Sequence, residues 1–462
     1  MKRSFRSVLV VSVLLAATLG SSAAQSVDDG LGEEALQVLQ DYLRVDTINP
    51  PGNEMRAVDF FAKLLEREGI SYESAQSAPG RGNIWARLRG GDEPALVLLH
   101  HSDVVPADVE HWTVDPLSGA IEGGFLYGRG ALDTKTLGIQ HFMAFVALHR
   151  AGIPLRRDVI FMATADEEAG GFAGAGWMVE NRPEVFTDVG FLLNEGGRGS
   201  VQDGRVWFNV EVTQKVPLWL ELTAEGAAGH GSTPPLESAV NRLVRALGRL
   251  QTYDFEPRVV PEVDAFFKAI ARQADDDWRP QFENIAEAVS DPDTLLRLQI
   301  DNRFLAAIVR NTCSITMLEG SSKINVVPPS ASAQLDCRLL PDQDLDAFVE
   351  ELSGVLNDSA ISIRRIMGFT PASSSTDTEL YRAIEALVTR HFPGAPVIPT
   401  VGAGFTDSHF FRDLGITSYG FGAVVLPAQE FGGVHGNDER VPVEQVERGT
   451  VLIAELVLSF VQ

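Results

Sequence analysis

The sequence predicts an α/β fold in which a larger domain with a mostly parallel sheet carries a smaller, inserted α+β domain. Three observations carry this. Short apolar runs ("NIWARL", "ALVLLHH", "DVIFMATA", "VGFLLNE") alternate with a long helical stretch, "TLGIQHFMAFVALHRAG", as strands joined by a crossover helix do. Near residue 216 the pattern changes to period-two alternation in "PLWLELTAEGA", opening a strand, helix, strands, helix, strand series that ends near residue 367. A helical pattern, "ELYRAIEALVTRHF", then resumes. A chain of 462 residues suits this two-domain reading, with the first domain at 25–215 and 368–462 and the insertion at 216–367.

Taken in order, the chain starts with Lys2, Arg3 and Arg6, an apolar run from Val8 to Leu19, and the small residues Ser22, Ala23 and Ala24. This reads as a secretory signal peptide over 1–24, its apolar run too short to span a bilayer. The expectation is an exported protein, periplasmic or secreted, with no membrane insertion after cleavage. No Cys follows the cleavage site, which argues against a lipid anchor. Helical spacing follows over Glu33–Leu43 and Glu54–Gly69, with the turn "NPPG" between them. His101, the cluster Asp166 to Glu168, and Glu195 then close three successive strands at their C-terminal ends, the edge where open α/β sheets bind ligands. In the insertion, a helix runs from Glu237 to about Tyr253 and a mostly helical stretch continues to about Arg310. "TCSITML", "KINVVP" and "SASAQLDCRLL" read as strands, "DLDAFVEELSGVLN" as a helix and "ISIRRI" as a last strand.

Composition narrows the function classes. Apolar residues at 45% and charged residues at 22% describe a globular chain, and 42 Gly with 24 Pro describe many ordered turns. The 63 acidic and 38 basic residues leave a net charge of −25, which argues against nucleic acid and anionic membrane surfaces as partners. Cys313 and Cys337 are the only cysteines. Export permits a disulfide, yet two thiols make no framework, so their pairing stays open.

Several polar residues carry chemistry. His101 and Asp103 stand two apart at a strand end, where i and i+2 share a face, so Asp103 can orient the imidazole; a plain structural pair reads the same way. In "LYGRGALDTK", Asp133 begins a helix and is either its N-cap or a ligand. "TADEEAGG" crowds Asp166, Glu167 and Glu168, which repel unless water or a cation holds them; one of the two glutamates can bind a metal while the other reaches a water on it. Asp166 reads as a structural hydrogen-bond acceptor. Glu195 in "LLNEGG" adds a carboxylate, and His435 sits in the Gly-rich "FGGVHGNDERV", away from any apolar face. His101, Asp133, Glu168, Glu195 and His435 form an imidazole and carboxylate set that suits zinc, with cobalt or manganese as lesser options. Five ligands serve two metals sharing a carboxylate better than one.

In order along the chain, "HSDVVP", "W…DPLSGAIEGGFLYGRGALDTK", "TADEEAGG", "GHGSTP" and "GGVHGNDERV" together resemble the M20 family of metallopeptidases. That family holds carboxypeptidases, dipeptidases, aminoacylases and the deacylases of acetylornithine and succinyl-diaminopimelate. The resemblance implies a di-zinc catalytic domain with an inserted lid domain, and an exported, carboxypeptidase-like hydrolase that cleaves an amide in small peptides or N-acyl amino acids. Asp133 would bridge two zinc ions, His101 and Glu195 would complete one site and Glu168 with His435 the other. Glu167 would be the general base, and Asp103 would orient His101. His230 in "GHGSTP", by itself only a turn histidine, would stabilise the oxyanion, often across a dimer interface in the family; a homodimer through the lid is thereby allowed. Arg338 in "LDCRLLP" matches a lid arginine that grips a substrate carboxylate, with a strand salt bridge as the equal alternative. Asn325 in "INVVP" is a weaker lid candidate. His409 in "GFTDSHFF" stands where many relatives carry Arg or another residue, so it bears on specificity. Two other readings stand beside this one: an aminoacylase-type N-acyl amino acid deacylase, and a non-catalytic periplasmic protein that binds peptide or metal.

Overall fold

The computed structural model describes residues 30–427 and 433–462, so the predicted signal peptide at 1–24 lies outside the described residues. The described residues divide into two compact units: those within 30–210, 376–397, 414–427 and 433–462 form the first, and 211–375 with 398–413 the second.

In the first unit, the strands Arg157–Thr164, Glu93–His101, Val189–Asn194 and Thr417–Gly420 lie side by side and parallel at the centre of a ten-stranded sheet. Arg81–Leu88 and Tyr72–Ala78 extend the sheet antiparallel on the Arg157–Thr164 side. The predicted α/β class with a largely parallel sheet therefore holds. The physical reason lies in the strand sequences: Arg157–Thr164 is buried at every position and Glu93–His101 at its last seven, the continuous apolar run of a strand covered on both faces. The helix Lys135–Ala151 is buried through Leu148, as the connection crossing such a sheet must be. Parallel pairing sets His101 against Thr164, so the strands end at the same level and deliver their following residues to one edge.

The second unit has an antiparallel four-stranded sheet in the order Thr312–Glu319, Ser330–Leu339, Val216–Glu225, Ile361–Gly368. Leu218, Leu220, Leu222, Ala333, Leu335 and Leu339 alternate inward and pack on Leu243, Leu247, Phe348 and Leu352 of the helices Ala239–Gln251 and Leu345–Leu356. Cys313 and Cys337, register partners on adjacent strands, are joined in a disulfide. The helical stretch 254–310 is pinned by Lys215, whose buried Nζ donates to the carbonyls of Ala307 (2.7 Å) and Arg310 (2.8 Å) and to Thr312 Oγ1 (3.1 Å). Two expectations need revision. "KINVVP" contributes only the two-residue strand Val326–Val327, which pairs outside the sheet with Gly229–His230. Residues 398–413, read from sequence as part of 368–462, belong to the second unit, because His409 and Phe405 pack on Phe369 and Arg412 pairs with Glu211 in the interior. Among the described residues no helix is long and apolar enough to cross a membrane.

Candidate active site

Three strand ends, one helix start and one loop of the first unit converge. His101, nearly fully buried, points Nε2 at Asp133 Oδ1 (2.9 Å) and Glu195 Oε1 (3.6 Å). The other oxygen of Asp133, Oδ2, lies 3.2 Å from His435 Nε2, which also faces Glu168 Oε2 at 3.1 Å. Asp133 thus stands between two imidazoles and does not cap the helix that follows it; the N-cap position is Thr134, and no side chain bonds there. Donor atoms of His101, Asp133 and Glu168 lie within 4.8 Å of one another, as do those of His101, Glu167 and Glu195. The adjacent Glu167 and Glu168 accordingly join different groups.

The turn that presents them is built by Asp166. Its backbone takes a left-handed conformation (φ 71°), which Asp tolerates, and its side chain accepts the Ala173 N–H (2.9 Å) and pairs with Arg81 (3.1 Å). Gly171 reaches φ 72° in the same turn, where a side chain would be strained. Asp166 is the structural acceptor expected of it.

Asp103 does more than the sequence suggested. Its backbone carbonyl lies 3.0 Å from His101 Nδ1 and its Oδ1 3.4 Å away, so that ring nitrogen is held against Asp103 and Nε2 faces the cluster. Its carboxylate also accepts the N–H groups of Glu167 (3.1 Å) and Glu168 (3.2 Å) and the amide of Asn49 (2.8 Å). Asn49 in turn accepts from Arg81, which pairs with buried Glu54 at 2.5 Å. Sequence reasoning missed Asn49, Arg81, Arg129 and Glu439. Glu439 is fully buried and accepts from Arg129 Nη1 (2.6 Å) and from the N–H groups of Gly130, Leu132 and Asp133. For Arg129 and Glu439 the only sequence signal is an unexplained charge inside a motif already singled out for a neighbour.

The electrostatics test whether the set suits cations. Hydrogen bonds donated to Asp133 and Glu168 raise the His435 pKa to about 10 against the pull of burial. Burial opposes a charge on His101, but Glu195, Asp103 and Asp133 together hold its pKa well above the ordinary value. Burial raises Asp133 too, and His101 and His435 more than offset it, leaving it below the carboxylate range. Burial raises Glu168. The carboxylates thus draw positive charge into the site, and protonated imidazoles supply it when no cation does. Two imidazole nitrogens and three carboxylates fit divalent metals of the zinc type.

The remaining candidates lie in the second unit. His230 and Asn325 share the short ribbon, where the Gly231 N–H donates to the Asn325 carbonyl (2.9 Å), and His230 Nδ1 meets Ser232 Oγ at 2.7 Å. Arg338 forms the strand salt bridge with Asp336 (2.7 Å), and its guanidinium also lies over Phe405, 5.6 Å from the ring centroid. Phe405 packs on Phe369, and His409 stacks on Phe369 at 3.6 Å, so Arg338 and His409 flank one aromatic pair. Burial pushes the His409 pKa down to about 3. Arg338 Nη1 and both His409 ring nitrogens are buried with no hydrogen-bond partner among the described residues.

Comparison with known proteins places this arrangement. Residues 97–459 match the model of peptidase family M20/M25/M40. N-fatty-acyl-amino acid synthase/hydrolase PM20D1 of Xenopus tropicalis is 31% identical over 389 residues, covering 81% of this chain and 74% of the relative. Aminoacylase-1 of Sus scrofa is 28% identical over 435 residues, covering 91% and 94%. The M20 family metallo-carboxypeptidase Sso-CP2 from Sulfolobus solfataricus shares the fold with a TM-score of 0.70 at 21% identity, over 92% of this chain and 99% of that one.

Proposed function

The chain belongs to peptidase family M20/M25/M40 and is a hydrolase of amide bonds, and from that premise we propose that it cleaves N-acyl amino acids with the help of two divalent ions, zinc by preference. The observation that carries this is Asp133, one carboxylate with an imidazole on each oxygen. The acyl-amino acid reading is supported by the two relatives above, both named for N-acyl amino acid chemistry. A second reading, exopeptidase action on small peptides, is favoured by the likeness to the carboxypeptidase structure.

In this reading Asp133 would hold both ions, His101 and Glu195 would hold one, and Glu168 and His435 the other. Bound there, such ions lower the pKa of a water and polarise the amide carbonyl. The protein supplies the rest. Glu167, 6% exposed, accepts the proton of the attacking water and returns it to the leaving nitrogen, and its burial keeps bulk water from competing. Asp103 fixes the His101 ring and the Glu167 turn. His230 donates to the developing oxyanion, while Arg338 and His409, with buried donors lacking partners, and Asn325 recognise the substrate.

We further propose export, on the signal-peptide pattern of 1–24; the Cys313–Cys337 bond suits an oxidising compartment. A homodimer through the second unit is supported by its edge strand Thr312–Glu319, which exposes Met317 and Leu318. The test is turnover of a panel of N-acyl amino acids and dipeptides by protein with metals removed and then restored. The expected result is chelator-sensitive hydrolysis, fastest on acyl amino acids. Metal uptake without turnover of any member would favour the non-catalytic binding reading.

A further inference from the structure

Glu439 and Arg129 belong to no candidate ligand set, yet their contacts run to two of its members. Glu439 Oε2 takes Arg129 Nη1 (2.6 Å) and the Gly130 N–H (3.2 Å), and Oε1 takes the N–H groups of Leu132 (2.7 Å) and Asp133 (3.2 Å). Three N–H groups within four consecutive residues wrap one buried carboxylate, so the backbone of Asp133 is set relative to Glu439. The wrap needs Gly130, at φ +88° and so close to Val104 that a Cβ would lie 2.7 Å from its Cγ1. Arg129 supplies a second arm: Nη2 donates to the backbone carbonyl of His435 at 3.4 Å, while the guanidinium lies over the Trp112 ring, 5.2 Å from its centroid. His435 itself has a left-handed backbone (φ 58°), which for a non-glycine residue persists only where its surroundings hold it. The same ion pair therefore holds both ends of the Asp133 Oδ2 to His435 Nε2 approach.

We propose that Glu439 is a positioning residue for the metal centre: with Arg129 it clamps the loop of Asp133 to the loop of His435 and presets the spacing of the half-site made by Asp133, Glu168 and His435. The proposal rests on the two-metal reading above. A neutral amide cannot replace this carboxylate, because Glu439→Gln turns an NH2 group toward N–H donors and leaves Arg129 buried and unpaired.

The experiment is calorimetric titration of metal-stripped protein with Zn2+ against a competing chelator, run beside thermal melts and beside turnover as a function of free Zn2+. For Glu439→Gln the weaker of the two metal affinities should fall about 10- to 100-fold, with turnover recovering as free Zn2+ is raised. The double variant Arg129→Met/Glu439→Gln removes the unpaired charge and should show the same loss of affinity, which keeps the test decisive if the single variant does not fold. Wild-type affinity in a folded variant, with only a lowered melting temperature, would overturn the proposal. Wild-type protein that takes up no divalent ion would instead sink the two-metal reading, so the two failures are distinguishable.

Discussion

Asp103 Oδ1 accepts the backbone N–H of Glu167 at 3.1 Å, so the strand end that presents His101 also fixes the turn that presents the candidate base. The same carboxylate takes the Glu168 N–H at 3.2 Å, and Asp103 is fully buried, so water cannot substitute for it. Asp103→Ala should leave three donors, the N–H groups of Glu167 and Glu168 and the Asn49 amide, without their acceptor, at about 1–3 kcal/mol each. The melting temperature should fall, and turnover should drop at least about tenfold even in metal-saturated protein, since second-layer partners of metal-bound histidines act on that scale. Asp103→Asn, which keeps one acceptor oxygen, should fall between. Unchanged turnover in folded Asp103→Ala would show that the turn holds itself.

Glu167 shares a cluster with His101 and Glu195, a geometry open to either a ligand or a base. Glu167→Gln separates these roles, because an amide can neither take a proton nor replace a carboxylate ligand at equal strength. A base predicts two metals per chain by elemental analysis and kcat reduced about 10²- to 10⁴-fold. Loss of one metal would reassign Glu167 to the ligand set.

The strand ends were readable because parallel strands covered on both faces read as unbroken apolar runs, and His101, Glu167, Glu168 and Glu195 follow directly where those runs stop. Their convergence follows from register, and the chemistry of the residue types does the rest. The clamp was not readable: Arg129 and Glu439 stand 310 positions apart in sequence, and "NDERV" alone reads as a solvated loop. The placement of 398–413 was hidden for the same reason, since nothing local announces that His409 stacks on Phe369. "KINVVP" misled through its β-branched residues. Ile324 is fully exposed, and propensity without a neighbouring strand to pair with makes only a two-residue ribbon.

The Cys313–Cys337 bond closes a loop across a sequence separation of 24, which in the chain-entropy account restrains the unfolded state by about 3 kcal/mol. Cys313→Ala/Cys337→Ala, or the wild type under reductant, should therefore unfold at lower urea with turnover retained at low denaturant, because the bond joins two strands of the second unit, whereas the imidazole and carboxylate cluster is built from residues of the first. Urea melts paired with a free-thiol assay check this. An unmoved midpoint after full reduction would refute the stabilising role.

The imidazole and carboxylate cluster makes the metal-stripped protein sensitive to pH in a direction that can be worked out. The His435 pKa is raised from the ordinary 6.5 to about 10, so the folded state binds a proton that the unfolded state releases between those values. Its stabilising contribution is complete below about pH 6.5 and is lost as pH climbs through 10. Lys135 and Lys215 act oppositely in much of this window: burial holds both down at about 7 from 10.5, so the unfolded state binds the extra proton and stability rises with pH. The net slope of one protein is thus ambiguous, and the difference between wild type and His435→Ala isolates the histidine. In chelator, the stability advantage of the wild type over the variant should shrink steadily from pH 6.5 to pH 10. Half-exposure of His435 keeps that advantage modest through solvent screening. With zinc saturating, a metal held at Nε2 as proposed would take the proton's place, and the wild-type advantage should hold across the same range. Melting temperatures of both proteins at three pH values, with chelator and with zinc, provide the measurement. A difference that is flat with pH in chelator would mean that His435 is not held protonated by Asp133 and Glu168, and would remove the electrostatic argument for a cation at this site.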